Sequence, residues 1–330
     1  MLVRIPSASL HGIEAYQVEV EVDISPGLPA FIIVGLPDAA VRESKERVRA
    51  ALRNCGFDFP AKKIIINLAP ASRKKEGSSF DLPVALGLLA FLGVVNRDSL
   101  ERFLFVGELT LEGSLKSVRG ALPFSLLAAE RKLSGLILPR KNEREACLVR
   151  NLPVYGLEHL LEVIKLLNGS EEIKPASYSI SDLVGEVKQE VDISEVRGQQ
   201  QAKRALEVAA AGGHNILLIG PPGSGKTMLA RRLPTILPDM AFEEIIEVTQ
   251  IYSSAGLLGA RAAISQRPFR APHHTITNTG LVGGGNFPRP GEVSLAHRGV
   301  LFMDEFPEFG RQPLESLRQP LEDGYVTISR

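Results

Sequence analysis

Apolar and polar residues alternate strictly between positions 14 and 24. Tyr16, Val18, Val20, Val22 and Ile24 fall on one side, and Gln17, Glu19, Glu21 and Asp23 on the other. That period of two predicts a strand with one buried face. Ser25-Pro26-Gly27 reads as a turn, and Ala30–Val34 as a second strand. The spacing then becomes helical. Asp38 can cap a helix whose stripe includes Val41, Val48 and Leu52, with Gly56 just past its end. Ile64–Ile66 predicts a third strand, 71–79 a polar loop, and Asp81 with Pro83 the opening of an apolar helix through Leu92. Phe103–Val106 and Thr110–Leu115 read as a hairpin around Leu111-Glu112-Gly113. A helix near 121–132, a strand at Leu136–Leu138 and a helix near 157–167 follow. This mixture predicts a self-contained α+β domain over 1–168.

Residues 169–192 are polar without a sustained apolar stripe and read as a linker. From Ile193 the pattern is α/β. A helix over Gln199–Ala211 carries Ala202, Ala205, Leu206 and Ala209 on one face. Ile216–Ile219 predicts a short buried strand, and Met228, Leu229, Ala230 and Leu233 a following helix. Val300–Met303 predicts another buried strand. Leu314, Leu317 and Leu321 predict a core-facing helix over 311–324, and Tyr325–Ile328 a last strand.

Composition changes this picture little. The 330 residues suit two domains. A hydrophobic content of 44% with 23% charged residues is ordinary for a soluble protein. The formal net charge is zero, so any nucleic-acid contact must come from a local patch. Cys55 and Cys147 match no metal or redox spacing and read as thiols in a reducing compartment. With no apolar leader and no apolar run long enough for a membrane span, a cytoplasmic protein is expected.

The candidate chemistry lies between the second domain's two predicted buried strands. Gly220-Pro221-Pro222-Gly223-Ser224-Gly225-Lys226-Thr227 matches the phosphate-loop pattern G-x-x-x-x-G-K-[ST] in full. Its glycines let successive backbone N–H groups point at phosphate oxygens, and the following helix adds its positive end. Lys226 is placed to reach the β- and γ-phosphates of ATP, and the Thr227 hydroxyl to ligate Mg²⁺. Asp304 and Glu305 emerge at the end of the Val300–Met303 strand, where ligands sit in open α/β sheets. Asp304 is expected to hold Mg²⁺ through water, and Glu305 to polarise the attacking water. His273-His274 lacks a third ligand at usable spacing, so no metal site is predicted there.

These motifs resemble the AAA+ ATPases. The Ile193–Ile219 stretch resembles their entry segment, which implies that Val196 and Gly198 lie near the adenine. Arg267–Thr275, Gly283–Gly285 and Pro290–His297 resemble the magnesium-chelatase-related branch, and within it the YifB/ComM family. The resemblance runs over the whole chain. It implies a hexameric, ring-forming ATPase motor subunit, and for ComM-like members a helicase-like branch migration on single-stranded or branched DNA in natural transformation. A chelatase-type ATPase remodelling a protein partner, or an assembly platform that does not hydrolyse ATP, are the alternatives. The family's further sensor strand, trans-acting arginine and helical lid have no counterpart here. The resemblance therefore implies a chain truncated inside an AAA+ domain spanning 193–330.

Residues 261–298 hold five arginines and one acid, Glu292, whereas 299–324 hold six acids and two arginines. The Gly- and Pro-rich basic stretch suits phosphate contacts, with Arg267, Arg270 and Arg289 as candidate DNA contacts. Pairing with the acidic stretch or with a neighbouring subunit is the other reading. In the first domain, 71–138 resembles the Lon proteolytic domain, of the ribosomal S5 domain 2-like kind. Ser79 falls at the matching serine, but Gly120–Ser125, where the activating lysine is expected, contains none. The resemblance therefore implies a non-catalytic binding or assembly module.

Overall fold

The alternation at 14–24 becomes β2 (Glu14–Ser25) of a four-stranded sheet with β1 (Leu2–His11), β3 (Ala30–Val34) and β4 (Lys63–Ala69). The computed structural model describes residues 2–185, 191–285 and 288–327. The strand order is β1-β2-β4-β3, with β1/β2 and β2/β4 antiparallel and β3/β4 parallel. Val18, Val20 and Val22 are fully buried, as the period of two requires. The β1 strand has no clean alternation because Ser7 and Ser9 share its buried face; Ser7 Oγ donates to Phe105 O at 2.8 Å. The parallel β3–β4 pair needs a crossover, and α1 (Ala39–Asn54) supplies it. Asp38 caps α1 by accepting from Val41 N at 2.8 Å.

Helix α2 (Asp81–Phe91) is apolar all round and buried from Asp81 to Ala90. Gly87 permits its close approach to the sheet, since a Cβ there would lie 2.4 Å from Val22 Cγ2. Asp81 is fully buried and bidentate with Arg47, at 2.6 and 3.0 Å.

The elements α3 (Arg97–Leu100), β5 (Phe103–Phe105), β6 (Glu108–Leu109), β7 (Leu115–Lys116), α4 (Ala121–Glu130), β8 (Gly135–Pro139), α5 (Glu143–Ala146), β9 (Val154–Leu157), α6 (Leu160–Leu167) and α7 (Ile180–Val184) complete the run. The expected hairpin of 103–106 with 110–115 does not form. Instead β5 pairs in parallel with β8, and β8 with β9. Leu104, Phe105 and Val106 are all fully buried, and such a continuous apolar run belongs to a strand covered on both faces. The antiparallel pair here is the short β6–β7.

Chain contacts divide the molecule into two units, Met1–Leu183 and Val184–Arg330. Part of the stretch read as a linker is tied to the first. Ala176 N donates to Val154 O at 2.8 Å, Tyr178 Oη to Glu143 Oε1 at 2.5 Å and Arg144 Nη2 to Asp182 O at 2.6 Å. Residues 186–190 of that stretch lie outside the described residues.

The second unit holds α8 (Gln200–Gly212), α9 (Lys226–Arg232), α10 (Phe242–Ala255), β10 (Phe269–Arg270), α11 (Asn278–Val282), β11 (Gly283–Gly284), β12 (Arg289–Pro290), α12 (Glu292–Leu295), β13 (Val300–Leu301), α13 (Arg311–Ser316) and α14 (Arg318–Asp323). Its described strands are short: β10 pairs in parallel with β13, and β11 antiparallel with β12. The buried strand expected at Ile216–Ile219 is absent, and Leu217 and Ile219 are 72% and 88% exposed. A parallel strand is held by its neighbours, and none of the described strands pairs with this stretch. The Val300–Met303 strand is limited to β13 and is half-buried. The helix expected over 311–324 breaks into α13 and α14. Leu317 is buried at the break, while Leu321 faces solvent. Tyr325–Thr327 is not a strand, and Ile328 lies outside the described residues.

Candidate functional site

The loop Gly220–Gly225 turns the chain from Ile219 into α9. Gly223 and Gly225 have φ of +75° and +85°, a left-handed conformation that a side chain disfavours. Gly225 is the N-cap of α9 and supplies no capping side chain, so the first-turn amides of Lys226 and Thr227 are not bonded by one. Lys226 Nζ donates to Gly220 O and Pro221 O at 2.8 and 3.0 Å, which places its charge over the loop. Ser224 Oγ is buried with no hydrogen-bond partner among the described residues, an orphaned polar atom within the loop.

The acidic pair meets this loop from β13. Thr227 Oγ1 donates to Asp304 Oδ2 at 2.9 Å, across a separation of 77 positions. Glu305 N donates to Asp304 Oδ1 at 3.1 Å, and Glu305 itself has φ of +54°. Its carboxylate Oε2 lies 3.4 Å from His274 Nδ1, and the His274 ring packs at a tilt of 35° against His273 with centroids 4.1 Å apart. Neither histidine nor its neighbours form a group able to hold a metal among the described residues. The parallel β10–β13 pair brings the two strand ends, and with them His274 and Glu305, together.

Val196 and Gly198 lie in the segment that precedes α8. Val196 is buried in a small core with Leu206 and Leu229, so its side chain is spent on packing. Gly198 and Gln199 both have positive φ, and Gln199 Nε2 donates to Ser224 O at 3.3 Å.

The arginines of 261–298 have mostly internal partners. Arg270 is bidentate with Glu292 at 2.6 and 2.7 Å, and those bonds hold its guanidinium above its ordinary range. Arg267 reaches Pro238 O at 2.5 Å, Arg298 O at 2.8 Å and Glu244 Oε2 at 3.1 Å. Arg298 pairs with Glu247 at 2.9 Å, and the Arg298 bond pulls that carboxyl below its usual range. Arg289 is more exposed, lies at β12 and is also engaged. The carboxylate partners of Arg267 and Arg298, Glu244 and Glu247, come from α10, a helix that the sequence pattern did not bring out, and not from the acidic 299–324 stretch.

The donor set fits a hard divalent cation. A hydroxyl and a carboxylate already share one hydrogen bond, and both are oxygen ligands of the kind Mg²⁺ takes.

Two family models match the chain: "Magnesium chelatase, subunit ChlI" over residues 192–330 and "Subunit ChlI of Mg-chelatase" over 20–142. The competence protein ComM of Haemophilus influenzae is 46% identical over 331 residues, covering all of this chain and 65% of that protein. The protein YifB of Escherichia coli is 46% identical over 322 residues, covering 97% of this chain and 62% of its own length. The chain thus spans just under two thirds of the length of these curated relatives. An archaeal Lon protease of Archaeoglobus fulgidus is 41% identical over 54 residues, 16% of this chain and 9% of that protein.

Proposed function

The chain belongs to the YifB/ComM family of magnesium-chelatase-related AAA+ proteins, and we propose that its second unit binds ATP with Mg²⁺ and hydrolyses it to remodel DNA. The observation that carries the nucleotide reading is the 2.9 Å bond from Thr227 to Asp304, which joins the phosphate-loop threonine to the acidic pair. Loop amides and Lys226 bind the phosphates. Mg²⁺, held by Thr227 and Asp304, would neutralise charge on the β- and γ-phosphates when bound. Glu305 orients the water whose oxygen bonds to the γ-phosphorus, as the bond to the bridging oxygen breaks and ADP leaves.

The DNA substrate is supported by likeness to a competence protein and by the basic composition of 261–298. Arg289 is the more exposed of the three and is therefore the first to test for phosphate contact. Ring assembly, as a hexamer, is part of the same proposal. The test is ATP hydrolysis by the full-length protein with and without single-stranded or branched DNA. Stimulation by DNA supports the reading, and absence of both binding at low salt and stimulation rejects the DNA part. A chelatase-type remodelling of a protein partner is the second reading, favoured by the names of the two matching models. Capture of a metal-chelatase partner would place it first.

For the first unit we infer a Lon-like fold without proteolysis. The local likeness to archaeal Lon supports it. Within Gly120–Ser125, where Lon-type chemistry needs a lysine, Ser125 is fully buried and donates to Ala121 O at 2.9 Å. Lys75, a short way before Ser79, is also fully buried, and its Nζ donates to Pro70 O and Arg73 O. Casein cleavage lost in Ser79→Ala would overturn this.

A further inference from the structure

We propose that β3 is a docking edge for a second copy of this chain, pairing antiparallel with the β3 of that copy across a two-fold axis at Ile32. The contact lies in the first unit and stands apart from the ATP reading. Strand β3 closes one side of the four-stranded sheet, with β4 as its one neighbour among the described residues. Its other row of N–H and C=O groups is open to a further strand. Phe31 and Ile33 pack on the core, while Ile32 and Val34 point away from it and stay 42% and 43% exposed. Leu28 and Leu36 add exposed apolar surface beyond the two ends. This apolar character is confined to the edge. The row Arg4–Glu21–Asn67–Val34 crosses the outer face of the sheet in register, and its first three members are charged or polar. Arg4 pairs there with Glu19 at 3.0 Å.

Soluble proteins shield an open edge with charges, above all lysine, or with proline on the strand. No charged residue occurs between Asp23 and Asp38, and Pro29 and Pro37 both stand outside β3. The composition is that of a covered strand. The order of residues says what covers it. Outward from Ile32 the strand is close to a palindrome: Phe31 answers Ile33, and Ala30 answers Val34. In antiparallel pairing about Ile32 each residue meets its counterpart in the other copy, so every cross-strand pair on both faces is apolar. The same axis brings the end that carries Leu28 to the end that carries Leu36. Like charges do not meet, because the edge has none. Such a contact is isologous, with the same patch used by both copies. A strand of 5 residues is far smaller than a standard interface of about 20–30 residues a side, so the contact is weak by itself and is best detected by trapping.

The experiment is disulfide trapping in the full-length protein, with Cys55→Ala and Cys147→Ala removing the native thiols of this region. Directly opposed residues of an antiparallel pair have Cα atoms about 4.5–5.5 Å apart, which a disulfide can bridge. Ile32→Cys is expected to cross-link to itself and give a covalent dimer on a non-reducing gel. Ala30→Cys and Val34→Cys are each expected to stay single when oxidised alone and to cross-link when mixed. Ile32→Lys sets two like charges face to face, and is expected to lose the concentration-dependent gain in mass that the parent shows in sedimentation. No dimer from Ile32→Cys would mean that the edge has a different occupant or none. Equal cross-linking by all three cysteine variants alone would mean association without register. An Ile32→Lys variant with the parent's mass at every concentration would mean that the edge is idle. Any of these results overturns the proposal.

Discussion

Lys75 lies in the loop ahead of α2 and Lys226 at the first position of α9, and both direct Nζ at two backbone carbonyls of the preceding loop. Lys75 is sealed: its residue is fully buried, and burial pulls its ammonium below its ordinary range. Its loop is closed further by Asp38, which accepts from Gly77 N at 3.1 Å. Lys226 sits over an open loop beside exposed Asp304 and Glu305. Similar bonds thus serve opposite ends. In the first unit the polar groups are consumed by the fold, as with Arg47–Asp81 and Tyr178–Glu143. In the second they stand at a surface, where the proposed reading has a phosphate replace a carbonyl as partner.

That contrast can be broken in graded steps. Arg47→Ala leaves Asp81 buried and unpaired, and should cost the first unit about 3–5 kcal/mol in urea unfolding while ATP affinity stays fixed. A change in ATP affinity would show that the units are not independent. Lys75→Met removes two hydrogen bonds to carbonyls of exposed residues and should cost about 1 kcal/mol, again without effect on the nucleotide. Thr227→Val removes the bond to Asp304, and should lower the stability of the second unit by at most about 1 kcal/mol while abolishing the Mg²⁺ dependence of binding. Unchanged Mg²⁺ dependence would detach Thr227 from the metal.

The smallest effect concerns Tyr178. The bond to Glu143 raises its hydroxyl from 10.0 to about 12, so the native state holds this proton longer than an unfolded chain does. The contribution is full below the ordinary value and is lost as pH rises through about 12. Absorbance titration should show a late phenolate step that Tyr178→Phe removes. A titration without that step in the wild type would place Tyr178 in solvent.

Much of the first unit could be read directly because its strands alternate and its helix caps are ordinary, as at β2 and Asp38. The strand β1 was hidden because buried serines break its pattern, and the 103–115 stretch because a two-faced buried strand mimics the arm of a hairpin. In the second unit the phosphate loop was legible as a local motif, whereas its contact with Asp304 follows only from folding. The bond of Arg232 to Glu195 was invisible, since nothing in their spacing encodes it. Arg267 and Arg298 showed their charge but not their partners, because Glu244 and Glu247 lie on a helix outside the basic stretch.

The central claim, that Gly220–Thr227 with Asp304 and Glu305 forms an ATP site, is tested most directly by equilibrium binding of Mg-ATP to the full-length protein, Lys226→Ala and Glu305→Gln. The account predicts at least roughly a hundredfold loss of affinity in Lys226→Ala and near wild-type affinity in Glu305→Gln, with hydrolysis lost in both. Equal ATP affinity in the wild type and Lys226→Ala would contradict it.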